Sequence, residues 1–215
     1  MENFTIPEIG RTSLLEKYEW DNTWWHNNDD RDTPRILYLG DSISCGVRSC
    51  LNDISDGKYI IDGYGTSKGV DNPYLGASIT LFAKQMLRLD AIIFALGGHG
   101  YHLDNESEFE KHYQNLCVLL KKEFPCVPVV TLSATWRRNA SHTKIVTARN
   151  AVRQSCSEKY GFGYIDIYGE SEKNQALLTS DGVHFTSEGY LTLAEYIKEK
   201  LKAYFDFLSA DQKNA

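Results

Sequence analysis

The sequence is short of the features that would assign it to a membrane, a nucleic acid or a disulfide scaffold. No run of roughly 18 uncharged apolar residues occurs, so no bilayer-crossing helix is predicted. The opening stretch, MENFTIPEIGRTSLLEKYEW, lacks a cationic segment followed by an apolar one, the pattern of a secretory leader. Lys and Arg number 23 against 29 Asp and Glu, a net charge of -6, and they form no basic block, so affinity for a phosphate backbone is not expected. Cysteine is sparse and odd in number: Cys45, Cys50, Cys117, Cys126 and Cys156 contain neither a C-x-x-C pair nor a zinc-ligand spacing. They are expected to be reduced and mostly packed in the core. Repeats and low-complexity tracts are also missing. Together these absences predict a soluble, cytoplasmic protein without a membrane, nucleic-acid or metal partner.

What is present fits one globular domain. A chain of 215 residues, 42% of them hydrophobic and 24% charged, has enough apolar content for a sizeable core. Residues 1–34 differ from the rest, holding Trp20, Trp24 and Trp25 beside the turn-prone stretch HNNDDRDTP. They are expected to form an aromatic arm packed on a domain spanning 35–215. From Arg35 onward, nearly continuous apolar runs at 36–39, 59–61, 91–96, 127–132 and 164–167 predict strands covered on both faces. Apolar residues at helical intervals predict helices over 74–89, 106–124, 144–160 and 187–208. Alternation of this kind predicts a three-layer α/β/α sandwich on a five-stranded parallel sheet.

Ligands in such sheets sit beyond the carboxyl ends of the strands. Site residues should therefore come from the segments after each strand: Gly40 onward, 62–69, 97–102, 133–139 and 179–185. Those segments carry Gly40-Asp41-Ser42, the glycine-bearing Asp62-Gly63-Tyr64-Gly65-Thr66-Ser67, Gly97-Gly98-His99-Gly100-Tyr101-His102, and Asp181-Gly182-Val183-His184. A serine nucleophile needs a base in hydrogen-bond reach, a carboxylate to orient that base, and N–H donors for the oxyanion. Asp181 and His184 are three residues apart, so one tight turn lets the carboxylate reach Nδ1 while Nε2 faces a hydroxyl. Ser42 follows the first strand and opens a helix, which presents its side chain at the rim and its N–H at a positive helix end.

In this order and spacing the four blocks, from Gly-Asp-Ser-Ile to Asp-x-x-His, resemble those of the SGNH/GDSL hydrolase superfamily over residues 35 to about 200. The resemblance implies a flavodoxin-like fold and ester hydrolysis through an acyl-enzyme, with no cofactor. It assigns Ser42 as nucleophile and first oxyanion donor, Gly65 as second donor, His184 as base and Asp181 as its orienting carboxylate. Gly63 and Ser67 compete with Gly65 for the second donor. The third block departs from the usual Gly-x-Asn-Asp: His99 stands in the asparagine's place, where its ring N–H can still donate, as in a Gly-x-His branch of small bacterial members.

Plainer readings compete at each position. Ser42 alone would pass for a helix cap, and Asp41 is expected to brace the turn rather than act as an acid. A second serine, in Gly65-Thr66-Ser67-Lys68-Gly69, matches the G-x-S-x-G elbow with Asp166 and His184 behind it, but Pro73 opposes the helix that motif requires. His102, Trp136 and Arg137 share the rim and are expected to contact substrate, with His102 lining the pocket and the other two gripping a sugar or carboxylate. The expected function is hydrolysis of a small acyl ester, acetyl above all, on a carbohydrate or related metabolite. An acyltransferase with the same triad and an inactive glycan-binding relative are the alternatives.

Overall fold

The computed structural model describes residues 18–103 and 105–209; residues 1–17 of the expected arm lie outside them. Strand β2 (Arg35–Gly40) is buried along its whole length, and its alternation decides the layering. Ile36 and Tyr38 enter one apolar cluster with Val47 and Leu51 of α1 (Ser42–Asp53) and Leu193 and Ile197 of α6 (Ser187–Leu201). Leu37 and Leu39 enter another with Ile79 of α2 (Leu75–Ala83) and Phe109 and Leu116 of α3 (Glu106–Glu123). The next strands, β4 (Ala91–Phe94) and β5 (Val129–Leu132), are likewise buried throughout. Helix α4 (Ala140–Tyr160) adds Cys156 to the second cluster and stops at Gly161, whose φ of 65° suits a residue without Cβ. Short elements complete the chain: β6 (Gly163–Ile165), α5 (Tyr168–Lys173) and α7 (Asp206–Ser209).

The sheet order is β1-β3-β2-β4-β5-β6, in which β3 (Ile60–Thr66), β2, β4, β5 and β6 run parallel to one another and β1 (Asp21–Trp24) runs antiparallel to β3. The three-layer α/β/α architecture is as expected, but the sheet has six strands and is not wholly parallel. The sixth comes from the arm. All four residues of β1 are exposed, so no apolar run marks it, and hydrogen bonding to a sheet edge makes the strand.

Strand β3 is also longer than its apolar run. Asp62 stays inside it because its carboxylate oxygens accept from Arg35 Nη1 at 3.1 and 2.9 Å, with both side chains 0% exposed. Arg35 further donates to the carbonyls of His26, Asn27 and Asp30, pinning the segment between β1 and β2. The glycines of β3 make room for α1. A Cβ on Gly63 would lie 2.3 Å from Arg48 Nη1, and one on Gly65 would lie 2.6 Å from Cys45 Sγ.

From β2 the chain passes to β3 on one side and then to β4 on the other, while α1 and α2 cover opposite faces. This reversal opens a crevice beyond the carboxyl end of β2, between β2 and β4, the usual ligand position in doubly wound sheets. Ser42 stands at its edge.

Candidate active site

Helix α1 begins with a cap that leaves its first side chain unencumbered. Asp41 is the N-cap: its Oδ1 accepts the Ile43 N–H at 2.9 Å and its carbonyl accepts Ser44 Oγ at 2.6 Å and the Cys45 N–H. Asp41 thus braces the turn, and Ser42 is delivered as the first helical residue. The other Asp41 carboxylate oxygen would lie 2.1 Å from a Cβ on Gly98. A glycine is needed there, and through it the loop after β4 packs against the start of α1.

The loop before α6 supplies an imidazole to the same place. Asp181 Oδ1 accepts from Thr179 Oγ1 at 2.8 Å, the Val183 N–H at 2.9 Å and the His184 N–H at 3.0 Å. Its Oδ2 lies 2.7 Å from His184 Nδ1, and His184 Nε2 lies 2.8 Å from Ser42 Oγ, 142 residues away in sequence. The bond to the His184 ring, followed by those to the loop, holds the Asp181 carboxyl well below the usual carboxylate range. An ionised carboxylate at Nδ1 calls for a proton on that nitrogen, which leaves Nε2 as the acceptor for the serine hydroxyl. The side chains of His184 and Asp181 are 40% and 50% exposed, so a ligand can reach them.

The loop after β5 supports this turn from below. Arg137 is buried, and its Nη1 donates to Thr135 Oγ1 at 3.1 Å and to the Val183 carbonyl at 3.0 Å. The Arg138 N–H donates to Gly182 O and its Nη1 to Ser180 O. Arg137, expected to grip substrate, uses its guanidinium here to hold the backbone next to His184. Trp136 is half-buried against the first core cluster, with its backbone N–H donating to Ser171 Oγ. His102 is tied through Nε2 to Asp71 Oδ2 at 2.8 Å, joining the loops after β3 and β4.

The loop bearing His99 is held by two arginines that the sequence reading did not single out. Gly97 and Gly100 take φ values of 102° and 80°, and between them the His99 carbonyl accepts Arg149 Nη1 at 2.9 Å while Gly100 O accepts Arg149 Nη2 at 2.7 Å. Arg153, one helical turn on, donates to Leu96 O and to Asn150 Oδ1. Burial, with Arg153 as a further cause, pushes Arg149 down to about 10. The available signal was two arginines four residues apart on the helix stripe that also carries Val146 and Cys156.

Gly65 presents a different backbone from the one expected. Hydrogen-bond direction alternates along a strand: the Ile60 N–H donates to Pro34 O on the β2 side and the Ser67 N–H to Trp20 O on the arm side. Gly65, paired with Asn22 and in phase with Ser67, turns its N–H toward β1 and away from Ser42. The same phase takes up Gly63. Ser67 is no nucleophile elbow either, since its buried Oγ accepts the Trp20 N–H and the next helix starts only at Leu75.

Among the described residues no group of three or more His, Cys, Asp or Glu is placed to hold a metal ion, and no helix is long and apolar enough to cross a membrane. A family model described as GDSL-like lipase/acylhydrolase matches residues 36–197. No curated protein matches the chain by sequence. Similar solved structures include the lipase/acylhydrolase from Enterococcus faecalis, with 18% identity and a TM-score of 0.63 over 85% of this chain and 100% of that one. The acetyl xylan esterase AlAXEase has 18% identity and a TM-score of 0.61 over 78% and 99% of the two chains. The carbohydrate acetylesterase Est24 from Sinorhizobium meliloti has 14% identity and a TM-score of 0.58 over 80% and 99%. At these identities the likeness shows a shared fold.

Proposed function

The chain belongs to the GDSL-like lipase/acylhydrolase family and is a carboxylic ester hydrolase, and within that family we propose that it removes a small acyl group, acetyl above all, from a carbohydrate or related small metabolite through an acyl-enzyme on Ser42. The observation that carries this reading is the unbroken line from Asp181 Oδ2 to His184 Nδ1 at 2.7 Å and from His184 Nε2 to Ser42 Oγ at 2.8 Å.

In the proposed cycle Ser42 Oγ bonds to the ester carbonyl carbon as its proton passes to His184 Nε2. The resulting oxyanion faces the Ser42 N–H, one of the end groups an α-helix leaves without an intrahelical partner, and the His99 ring donor. Collapse breaks the bond to the leaving alcohol, which takes the proton from His184. Water then adds to the acyl carbon, giving a proton to the same imidazole, and the acid departs as Ser42 Oγ regains its hydrogen. Asp181 stays ionised throughout and holds the tautomer. Two structural relatives bear names of enzymes acting on acetylated carbohydrates, which supports the acetyl and sugar parts of the reading.

The test is labelling with a fluorophosphonate probe, followed by peptide mapping and turnover of p-nitrophenyl acetate. Labelling is expected at Ser42 and nowhere else, with free acetate as product in water. An unlabelled Ser42, or turnover that stalls until a second alcohol is added and then yields its acetyl ester, would overturn the hydrolase reading in favour of an inactive relative or a transferase.

A further inference from the structure

Helix α1 carries Ser42 at one end of a continuous face. Cys45, Ser49 and Asn52 follow it at helical spacing on the same side, whereas the core contacts of the helix come from Ile43, Val47 and Leu51. That side faces the arm strand. Between α1 and β1 lies a cavity of about 360 Å³ lined by Trp24, His26, Cys45, Arg48, Ser49, Asn52 and Asp53.

Its outer wall follows from strand alternation. Asn22 and Trp24 pair with Gly65 and Gly63, so with Trp20 they share the face that looks toward α1. The two glycines leave the floor low. Trp20 Cζ3 lies 3.6 Å from the place a Cβ on Gly65 would occupy, and Asp41 O lies 3.5 Å from the same point, which brings the indole to the first turn of α1 beside Ser42. β1 is antiparallel to β3, so Trp20 is at the rim and Trp24 lies four residues down the strand, about 13 Å at the usual rise. The two residues are 36% and 51% exposed.

Arg48 forms the base of the groove. It is 8% exposed, its Cζ stands 5.7 Å from the Trp24 ring centroid, and both Nη atoms reach Asn22 Oδ1 at 3.4 Å. Those two contacts are long and share one acceptor, so they do not fill a guanidinium's five-donor capacity. Indole faces combined with a few fixed polar groups suit a ligand with apolar ring faces and many hydroxyl oxygens. A pyranose has both, and two indoles this far apart suit a short chain of such rings better than one.

We infer that the groove between β1 and α1 binds the glycan part of the substrate, an extended oligosaccharide lying along β1. Its ring faces rest on Trp20 and Trp24, its hydroxyls meet Arg48 and Ser49, and its acetyl ester reaches Ser42. This inference rests on the ester-hydrolase reading of Ser42 but is tested apart from it.

Turnover of p-nitrophenyl acetate by the wild type reports on Ser42 alone. The groove is tested by the ratio of kcat/KM for acetylated xylotetraose to that for p-nitrophenyl acetate, which is expected to fall at least tenfold in Trp24→Ala and in Arg48→Met, with the change mainly in KM. A ratio within twofold of the wild type in both variants overturns the inference. Binding is tested without catalysis on Ser42→Ala, by intrinsic tryptophan fluorescence with xylotetraose, cellotetraose, mannotetraose and chitotetraose. At least one is expected to shift the emission, and Trp24→Ala introduced into that chain is expected to weaken the binding at least tenfold. Absence of a shift with all four overturns the inference even where p-nitrophenyl acetate is hydrolysed, and a shift upholds it even where that ester is not.

Discussion

Replacing Asp181 with Asn separates the two tasks this carboxylate performs. Oδ1 accepts three bonds from Thr179 Oγ1 and the N–H groups of Val183 and His184, while Oδ2 faces His184 Nδ1. In Asp181→Asn the carbonyl oxygen must keep the Oδ1 place, because turning the amide over would aim its NH2 at two backbone donors. The NH2 then points at Nδ1 and stabilises the tautomer that accepts there, so the ring proton moves to Nε2. In that form the imidazole cannot accept the Ser42 hydrogen. A tautomer fault of this type in the serine protease triad costs about 10⁴ in kcat, close to 5.5 kcal/mol of barrier. Asp181→Ala removes the loop bonds as well but leaves the ring free to take either tautomer. Asn is therefore expected to have the lower kcat and Ala the lower Tm. Loss of the partly exposed loop bonds is worth about 1–2 kcal/mol, which for a chain of this size lowers Tm by about 3–6 °C. Steady-state turnover of p-nitrophenyl acetate and thermal unfolding followed by circular dichroism measure the two. An Asp181→Asn protein within about tenfold of wild-type kcat would refute the tautomer argument.

Three further outcomes follow from the same contacts. His99→Ala should lower kcat by roughly a hundred- to a thousandfold, the usual cost of one oxyanion donor, while His99→Asn recovers to within about tenfold; equal kcat in all three proteins would remove His99 from the cycle. Arg149→Met strips the donors from the buried His99 and Gly100 carbonyls, at about 2–5 kcal/mol, so Tm should fall by about 5–15 °C; an unchanged Tm would mean that Arg149 does not secure that loop. Asp62→Ala leaves the Arg35 guanidinium buried without its carboxylate and should cost about 3–5 kcal/mol in urea unfolding, with much of the loss recovered when Arg35→Met is added; equal midpoints for single and double variants would refute the pairing.

Legibility in the sequence followed the physics that dominates each segment. β2, β4 and β5 are sandwiched between helices, so burial on both faces is written as uninterrupted apolar runs, and their carboxyl ends could be located to within two residues. Ser42, Asp181 and His184 were nameable because a strand end and an Asp-x-x-His turn are local patterns, and the sheet reversal that brings them within hydrogen-bond distance is a property of the whole fold. β1 was not legible, because DNTW has no apolar run and its partners, the edge of β3 for its backbone and Tyr64, Thr66 and Lys68 for Asp21, lie far along the chain. β3 looked finished at Ile61 because Asp and Gly ordinarily leave strands; Arg35 neutralising Asp62 and α1 side chains filling the space over Gly63 and Gly65 are non-local facts. For the same reason Gly65 reads as a loop glycine, whereas it lies inside β3 and pairs with Asn22. Arg137, Arg149 and Arg153 were hard to place for a related reason. Arginine is rarely buried unless paired, and here the partners are main-chain carbonyls, an amide and the Thr135 hydroxyl, with no carboxylate to announce them.

Strand β1 has a consequence for solubility. β3 is a seven-residue strand buried along its full length, and without its antiparallel neighbour it would display an open row of amides and carbonyls, the surface on which foreign strands nucleate aggregates. β1 covers that border with Asp21, Asn22, Thr23 and Trp24, polar but for its last member, and the Lys68–Asp21 ion pair fastens the cover. A chain trimmed to begin at Arg35 would keep Ser42, Asp181 and His184 and still be the form most inclined to clump.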